Sequence, residues 1–205
     1  MIKKSSIFIV VALLLVGCSQ NEQNSIDSDQ NDSDVQENEV HEVIAENLES
    51  PWSIVKYENT FYVTEREGAI VRIEKGELER QKVELKEELS TASEAGLLGF
   101  VLAPDFNETN MASAYYTYED SSGQFNRIVT LRLENNVWIE ETLLLDQIPS
   151  GSYHHGGRIK IGPDGTLYAT VGDASEALIA QDPNSLGGKI LRMNLDGSIP
   201  SDNPF

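Results

Sequence analysis

The chain has 205 residues, of which 40% are hydrophobic and 24% charged, a size and balance that fit one globular domain with some excess. Its 15 lysines and arginines face 34 aspartates and glutamates, a formal net charge of -19. That argues against nucleic acid, whose phosphates need clustered cations, and against electrostatic attraction to anionic lipid.

Residues 1–18 read as an export signal. Lys3 and Lys4 form a basic head, and an unbroken apolar run from Ile7 to Val16 follows. That run is too short to cross a hydrocarbon core of about 30 Å as a helix. It ends in Leu15-Val16-Gly17-Cys18, which is similar to the lipobox of bacterial lipoproteins, where the thiol is acylated. Cys18 is the single cysteine, so no internal disulfide can form, and lipidation accounts for it. The expectation is an exported protein held on the outer face of the cell membrane by a lipid anchor only. Residues 19–42 read as an acidic, disordered tether rich in Asn, Gln, Ser, Asp and Glu, too poor in apolar area to offset the entropy of ordering. Its mean reach is roughly 25 Å.

From residue 43 to 205 the pattern is strand-rich, and it repeats. Ile54–Thr64 followed by Gly68-Ala69-Ile70-Val71-Arg72-Ile73 matches Ile159–Thr170 followed by Gly188-Lys189-Ile190-Leu191-Arg192-Met193. A further copy runs through Phe100-Val101-Leu102, Ala114–Tyr118 and Ile128–Leu133. Each copy predicts three strands of about five residues. Leu78–Leu85 and Val137–Leu145 are the expected outer strands of the first two, with Glu79, Lys82 and Glu84 facing water. Four antiparallel strands recurring in this way predict an all-β fold, a β-propeller with about three blades in this chain. Blades stack on both sides, so the third is expected to leave an apolar face open.

The richest stretch is Tyr153-His154-His155-Gly156-Gly157-Arg158, which leads into a hairpin turned by Pro163-Asp164-Gly165. It puts two imidazoles at a strand mouth, and imidazole moves protons near neutral pH. Trp52 and the Tyr115-Tyr116-Tyr118 set read as core. Arg66, Arg158 and Arg192 read as ties between blades.

Taken in order, Pro51-Trp52, Val63–Gly68, Gly96-Leu97-Leu98-Gly99-Phe100, His154–Arg158, Gly162–Gly165, Gly172-Asp173 and Gly188–Arg192 with Asp196–Pro200 resemble the soluble quinoprotein glucose/sorbosone dehydrogenases and the related aldose sugar dehydrogenases. The resemblance implies a six-bladed propeller that binds pyrroloquinoline quinone (PQQ) and calcium. It implies oxidation of the C1 hydroxyl of an aldose to a lactone, with hydride passing to the quinone and a histidine as base. That histidine falls at His154. Glu94, His155 and Asp173 fall where the pocket is expected, His155 as a wall and Asp173 at the start of a loop that overhangs it. Two departures stand out. Tyr153 occupies a position that is often acidic in the glucose dehydrogenases. No carboxylate cluster has calcium-loop spacing, so no metal ligand is assigned in this chain, and most cofactor ligands are expected beyond residue 205. The resemblance leaves the sugar and the electron acceptor open. Two alternatives remain: a non-catalytic surface-binding propeller, and a calcium lactonase whose carboxylates are not found here.

Overall fold

The computed structural model describes residues 41–204. The readings placed on residues 1–40, Cys18 included, lie outside them. Contacts group Glu42–Phe205 as a compact unit. Among the described residues no helix is long and apolar enough to cross a membrane.

Three antiparallel blades follow one another. The first holds β1 (Pro51–Tyr57), β2 (Thr60–Glu65), β3 (Ala69–Glu74) and β4 (Glu77–Glu84). The second holds β5 (Leu97–Leu102), β6 (Met111–Asp120), β7 (Gly123–Glu134) and β8 (Val137–Pro149), with a one-turn helix, α1 (Phe106–Thr109), between β5 and β6. The third holds β9 (Gly156–Ile161), β10 (Leu167–Val171) and β11 (Ile190–Met193). Two-residue turns close the tight hairpins. Lys75-Gly76 and Asn135-Asn136 all have positive φ, the conformation that matches strand twist in such loops.

The second blade departs from the expected five-residue strands. β6, β7 and β8 span 10, 12 and 13 residues. The β7–β8 ladder absorbs this length through three register shifts, which let long strands keep twisting together. The outer strand of the first blade also differs from expectation. Glu79, Lys82 and Glu84 do present their side chains to water. The backbone edge does not face water throughout, because Lys82, Val83 and Glu84 pair in parallel with Val137, Trp138 and Ile139 of β8. Gln81 is buried there, accepting from the Trp138 indole N–H at 2.8 Å and donating to Asn136 at 2.6 Å. A buried amide with both ends satisfied costs little and fixes the register of two neighbouring edges.

Two apolar layers lie between the blades. Tyr62 and Ile70 of the first meet Phe100, Tyr116 and Trp138 of the second. Leu98, Tyr115 and Ile128 of the second meet Leu167, Ala169 and Val171 of the third. The three tyrosines are buried, as expected for core. The inner strands come very close: a Cβ at Gly99 would lie 2.1 Å from the Gly157 carbonyl, so only glycine fits. Arg66 ties the first blade to the second through the carbonyls of Ala95 (3.0 Å) and Ser93. Arg158 ties the third to the first, donating to the Trp52 carbonyl at 2.9 Å with its guanidinium 4.0 Å from the indole centroid. Trp52 is therefore half-buried rather than deep core.

Arg192 corrects its assignment as a tie between blades. It pairs within its own blade region, with Asp164 at 3.0 Å and Asp202 at 2.7 Å. The outward face of the third blade is accordingly mixed rather than apolar. Tyr168 stands beside Lys160 and Arg192, and Thr170 beside Ile190. Ile190, at 73% exposure, is the large apolar group on that face.

Asp164 is the hub of the third blade's hairpin. Partial burial works against its ionisation, but hydrogen bonds from Thr166, Tyr168 and Arg192 outweigh that and hold the carboxyl at about 2. A depressed carboxyl pKa contributes stability that is present above the unfolded value near 3.9 and is lost as pH falls through the folded one. Asp164→Asn is therefore expected to lower the urea midpoint clearly at about pH 6 and little at about pH 2. Equal losses at both would show that the charge is not what Asp164 contributes.

Candidate active site

His154 lies two residues before β9 begins, and Asp173 two residues after β10 ends. Antiparallel pairing of these strands puts the start of one beside the end of the other. Their side chains meet, with His154 Nδ1 2.8 Å from Asp173 Oδ1. His154 adopts φ 64°, a left-handed conformation that a non-glycine residue takes at a cost of about 1–2 kcal/mol. Two contacts hold it there. Its backbone N–H donates to Glu94 Oε2 at 3.0 Å. Its carbonyl lies so close to Gly172 that a Cβ there would be 1.6 Å away. The turn sends the imidazole outward, with 62% of the side chain exposed.

Asp173 is fixed in turn. The hydrogen bond with His154 is the foremost reason its carboxyl sits below the usual range, and the Ser175 backbone N–H, at 3.0 Å, adds to it. A carboxylate at Nδ1 favours the tautomer that carries its proton there, leaving the Nε2 lone pair free to accept one. Among the described residues Nε2 of His154 has no hydrogen-bond partner. The pair can thus act as an oriented base.

The pair borders a cleft of about 470 Å³, lined also by Thr170, Gly172, Ala180, Lys189 and Ile190. The loop from Asp173 to Gly188 overhangs it and carries a single 3-10 turn at Ile179–Gln181. Lys189 holds that loop in place. Its ammonium donates to the carbonyls of Ile179 (3.1 Å), Ala180 (3.0 Å) and Gly187 (2.8 Å). All three of its protons are used.

The structure therefore brings His154, Glu94 and Asp173 together, Glu94 through the backbone of His154. His155 lies elsewhere. It is 2% exposed and points inward, off the cleft lining, with Nδ1 3.1 Å from Ser150 Oγ and 3.2 Å from Asn126 Oδ1. Burial is the main reason its pKa is lowered. Tyr153 is exposed. Sequence reasoning did not single out Lys189, Ser150 or Asn126. Lys189 fell at the variable position of the repeated Gly-x-Ile-apolar-Arg pattern, where the first copy has Ala69, and the pattern says nothing of what its ammonium holds.

The residues present fit only part of what a quinone cofactor asks. PQQ carries three carboxylates, which call for cations. Lys189 is saturated by carbonyls, and Arg66 and Arg158 are committed between blades. Among the described residues no group of three or more His, Cys, Asp or Glu could hold a metal ion. The described residues supply an exposed imidazole–carboxylate pair and a cleft, and among them there is no cationic clamp or calcium cage.

Stacked β-blades of this kind define part of a β-propeller, with an outward histidine–carboxylate pair at adjacent strand mouths. The chain belongs to the glucose/sorbosone dehydrogenase family, whose model matches residues 48–205. It is 31% identical to a quinoprotein glucose dehydrogenase B of Acinetobacter calcoaceticus, over 82% of this chain and 42% of that one. It is 28% identical to an aldose sugar dehydrogenase of Escherichia coli, over 80% of this chain and 46% of that one. Its fold matches the PQQ-bound form of an aldose sugar dehydrogenase from Streptomyces coelicolor with a TM-score of 0.72 and 34% identity, over 80% of this chain and 50% of that one. The chain spans about half the length of the curated relatives it matches.

Proposed function

We propose that the protein carrying this chain is a quinone-dependent sugar dehydrogenase that oxidises the C1 hydroxyl of an aldose to a lactone. The observation that supports this most is the His154–Asp173 pair, 2.8 Å apart on an open cleft, in a chain of this family. Asp173 orients the imidazole, and His154 removes the proton of the sugar hydroxyl as the C1 hydrogen departs. Glu94 fixes the backbone from which His154 projects. The hydride acceptor is proposed to be PQQ, with calcium, by analogy with the quinoprotein relatives. The groups that would clamp them are not among the described residues, and this chain's own part is proton removal and substrate positioning. Acylation of Cys18 would place the enzyme on the outer face of the membrane.

The test is quinone and calcium titration, followed by absorbance and by dye reduction with aldoses. It is run on this chain and on any longer form its gene encodes. Quinone binding with aldose-dependent dye reduction is the expected result. Absence of both in every form would defeat the assignment. The commitment of Lys189, Arg66 and Arg158 favours one second reading, a non-catalytic surface-binding propeller, since fold alone does not fix function. That reading expects ligand binding to survive His154→Ala unchanged and no sugar to turn over.

A further inference from the structure

We propose that His155 is a positioning residue, held as the neutral Nδ1–H tautomer, which fixes the turn that presents His154. The proposal rests on the reading of His154 as the base, and it is built from two hydrogen-bond relays that converge beneath that residue.

The first relay runs through Asn126, which is fully buried. Its amide nitrogen donates to the Pro149 carbonyl at 2.8 Å, so its oxygen is the atom facing Thr117 Oγ (2.8 Å) and His155 Nδ1 (3.2 Å). An amide oxygen only accepts, so Nδ1 must carry the proton. The second relay agrees with the first. Gln124 donates its amide to Ser90 at 2.8 Å, and its oxygen accepts the Ser150 hydroxyl at 3.0 Å. With its single proton spent, Ser150 Oγ must accept at 3.1 Å from His155 Nδ1. Nε2 is then a bare lone pair, buried and without a hydrogen-bond partner among the described residues. Protonating it would create a buried cation with no acceptor. Of the charged groups that face the ring, Glu94 favours the cation and Arg66 opposes it.

The backbone joins this anchor to the site. The His155 carbonyl accepts from the Tyr115 hydroxyl at 3.0 Å and from the Gly172 N–H at 3.3 Å. On the other side Glu94 holds the His154 N–H. Successive residues therefore point opposite ways, one ring locked inward so that the other, at φ 64°, projects toward Asp173.

The chain has 3 histidines, so 15N-imidazole NMR resolves them with single substitutions. His155 is expected to show the Nδ1–H pattern and to titrate below an ordinary histidine, because burial disfavours its cation. An Nε2–H pattern, or titration at or above the ordinary histidine value, overturns the tautomer. Two variants test positioning. In His155→Asn the amide nitrogen sits where Nδ1 was and still donates, whereas His155→Leu cannot donate. The readout is the Asp173 carboxyl titration by 13C NMR, which reports the His154–Asp173 bond without any need for turnover. His155→Leu is expected to return Asp173 toward the ordinary carboxylate range, and His155→Asn to leave it low. An unchanged Asp173 titration in folded His155→Leu overturns the proposal. If His155→Leu does not fold, the smaller His155→Ala, which also removes the donor, decides: a raised Asp173 titration supports positioning, and an unchanged one defeats it. In a form that turns over sugar, His155→Leu should lower kcat by about tenfold to hundredfold with little change in KM. Failure of the wild type to turn over sugar would count against the base assignment, while the NMR result still judges the positioning.

Discussion

Trp138→Ala is expected to destabilise the chain by about 3–5 kcal/mol, a value typical of large aromatic truncations in a packed core. Trp138 has no exposed surface. Its ring meets Phe100 edge-on at 5.1 Å and Tyr62 at 6.1 Å, and stacks with Phe106 at 6.1 Å. These partners come from both of the first two blades and from α1, so the cavity would open where three elements converge. The indole N–H also satisfies the buried Gln81 oxygen. Truncation would leave that oxygen without a donor at about 1–3 kcal/mol, a cost contained within the total rather than added to it. Urea unfolding is the measurement, with the midpoint giving stability and the slope checking that the unfolding unit has not changed. Trp138→Phe should cost less, since most of the apolar contact remains while the hydrogen bond is lost. Combining it with Gln81→Leu should recover part of that loss, because no buried acceptor is then stranded. A loss under about 1 kcal/mol for Trp138→Ala would mean that the first two blades do not share a packed layer.

The blades themselves were legible because strand periodicity and turn chemistry are local. The alternation around Ile159 and Ile161, with Asp164-Gly165 at the turn, predicts β9 and β10, and those are found. The β4–β8 pairing was not legible. It depends on how two blades fan out from each other, and Gln81 sits in a run of charged residues that looks solvated. The His154–Asp173 pair lies between these cases. The two residues are 19 apart, yet a hairpin that starts after one and ends before the other must bring them together. Glu94 is 60 residues away on another blade, so no spacing could place it, and only the resemblance did. His155 shows where residue-type reasoning fails. Two adjacent histidines invite the same role, but the left-handed turn at His154 sends one to solvent and the other into a polar network whose members are scattered from Ser90 to Ser150.

His154→Ala is expected to lower kcat for aldose oxidation by about 10²–10⁴-fold in the form that turns over, the usual contribution of a positioned general base. The side chain is exposed and makes one side-chain hydrogen bond, so the thermal melt should hardly move. That separation of activity from stability is what distinguishes a base from a structural histidine. Asp173→Asn should cost less, since an amide can still meet the ring but no longer selects its tautomer by charge. A second readout needs no substrate. His154 is the foremost cause of Asp173's depressed carboxyl pKa, so His154→Ala should raise it toward the ordinary range in a 13C titration. The sign of the linked stability follows. A depressed carboxyl stabilises the fold above its unfolded pKa, and that contribution fades as pH falls through the folded value. Because Asp173 is partly solvent-exposed, that difference should be small: the variant melts only slightly below wild type near neutral pH and converges with it in acid. Wild-type-like turnover in His154→Ala would remove the base assignment. An unmoved Asp173 would show that the 2.8 Å contact does not persist in solution. The two results are separable, because a real His154–Asp173 bond can exist in a protein that only binds, whereas base catalysis from this position requires the bond to orient the ring.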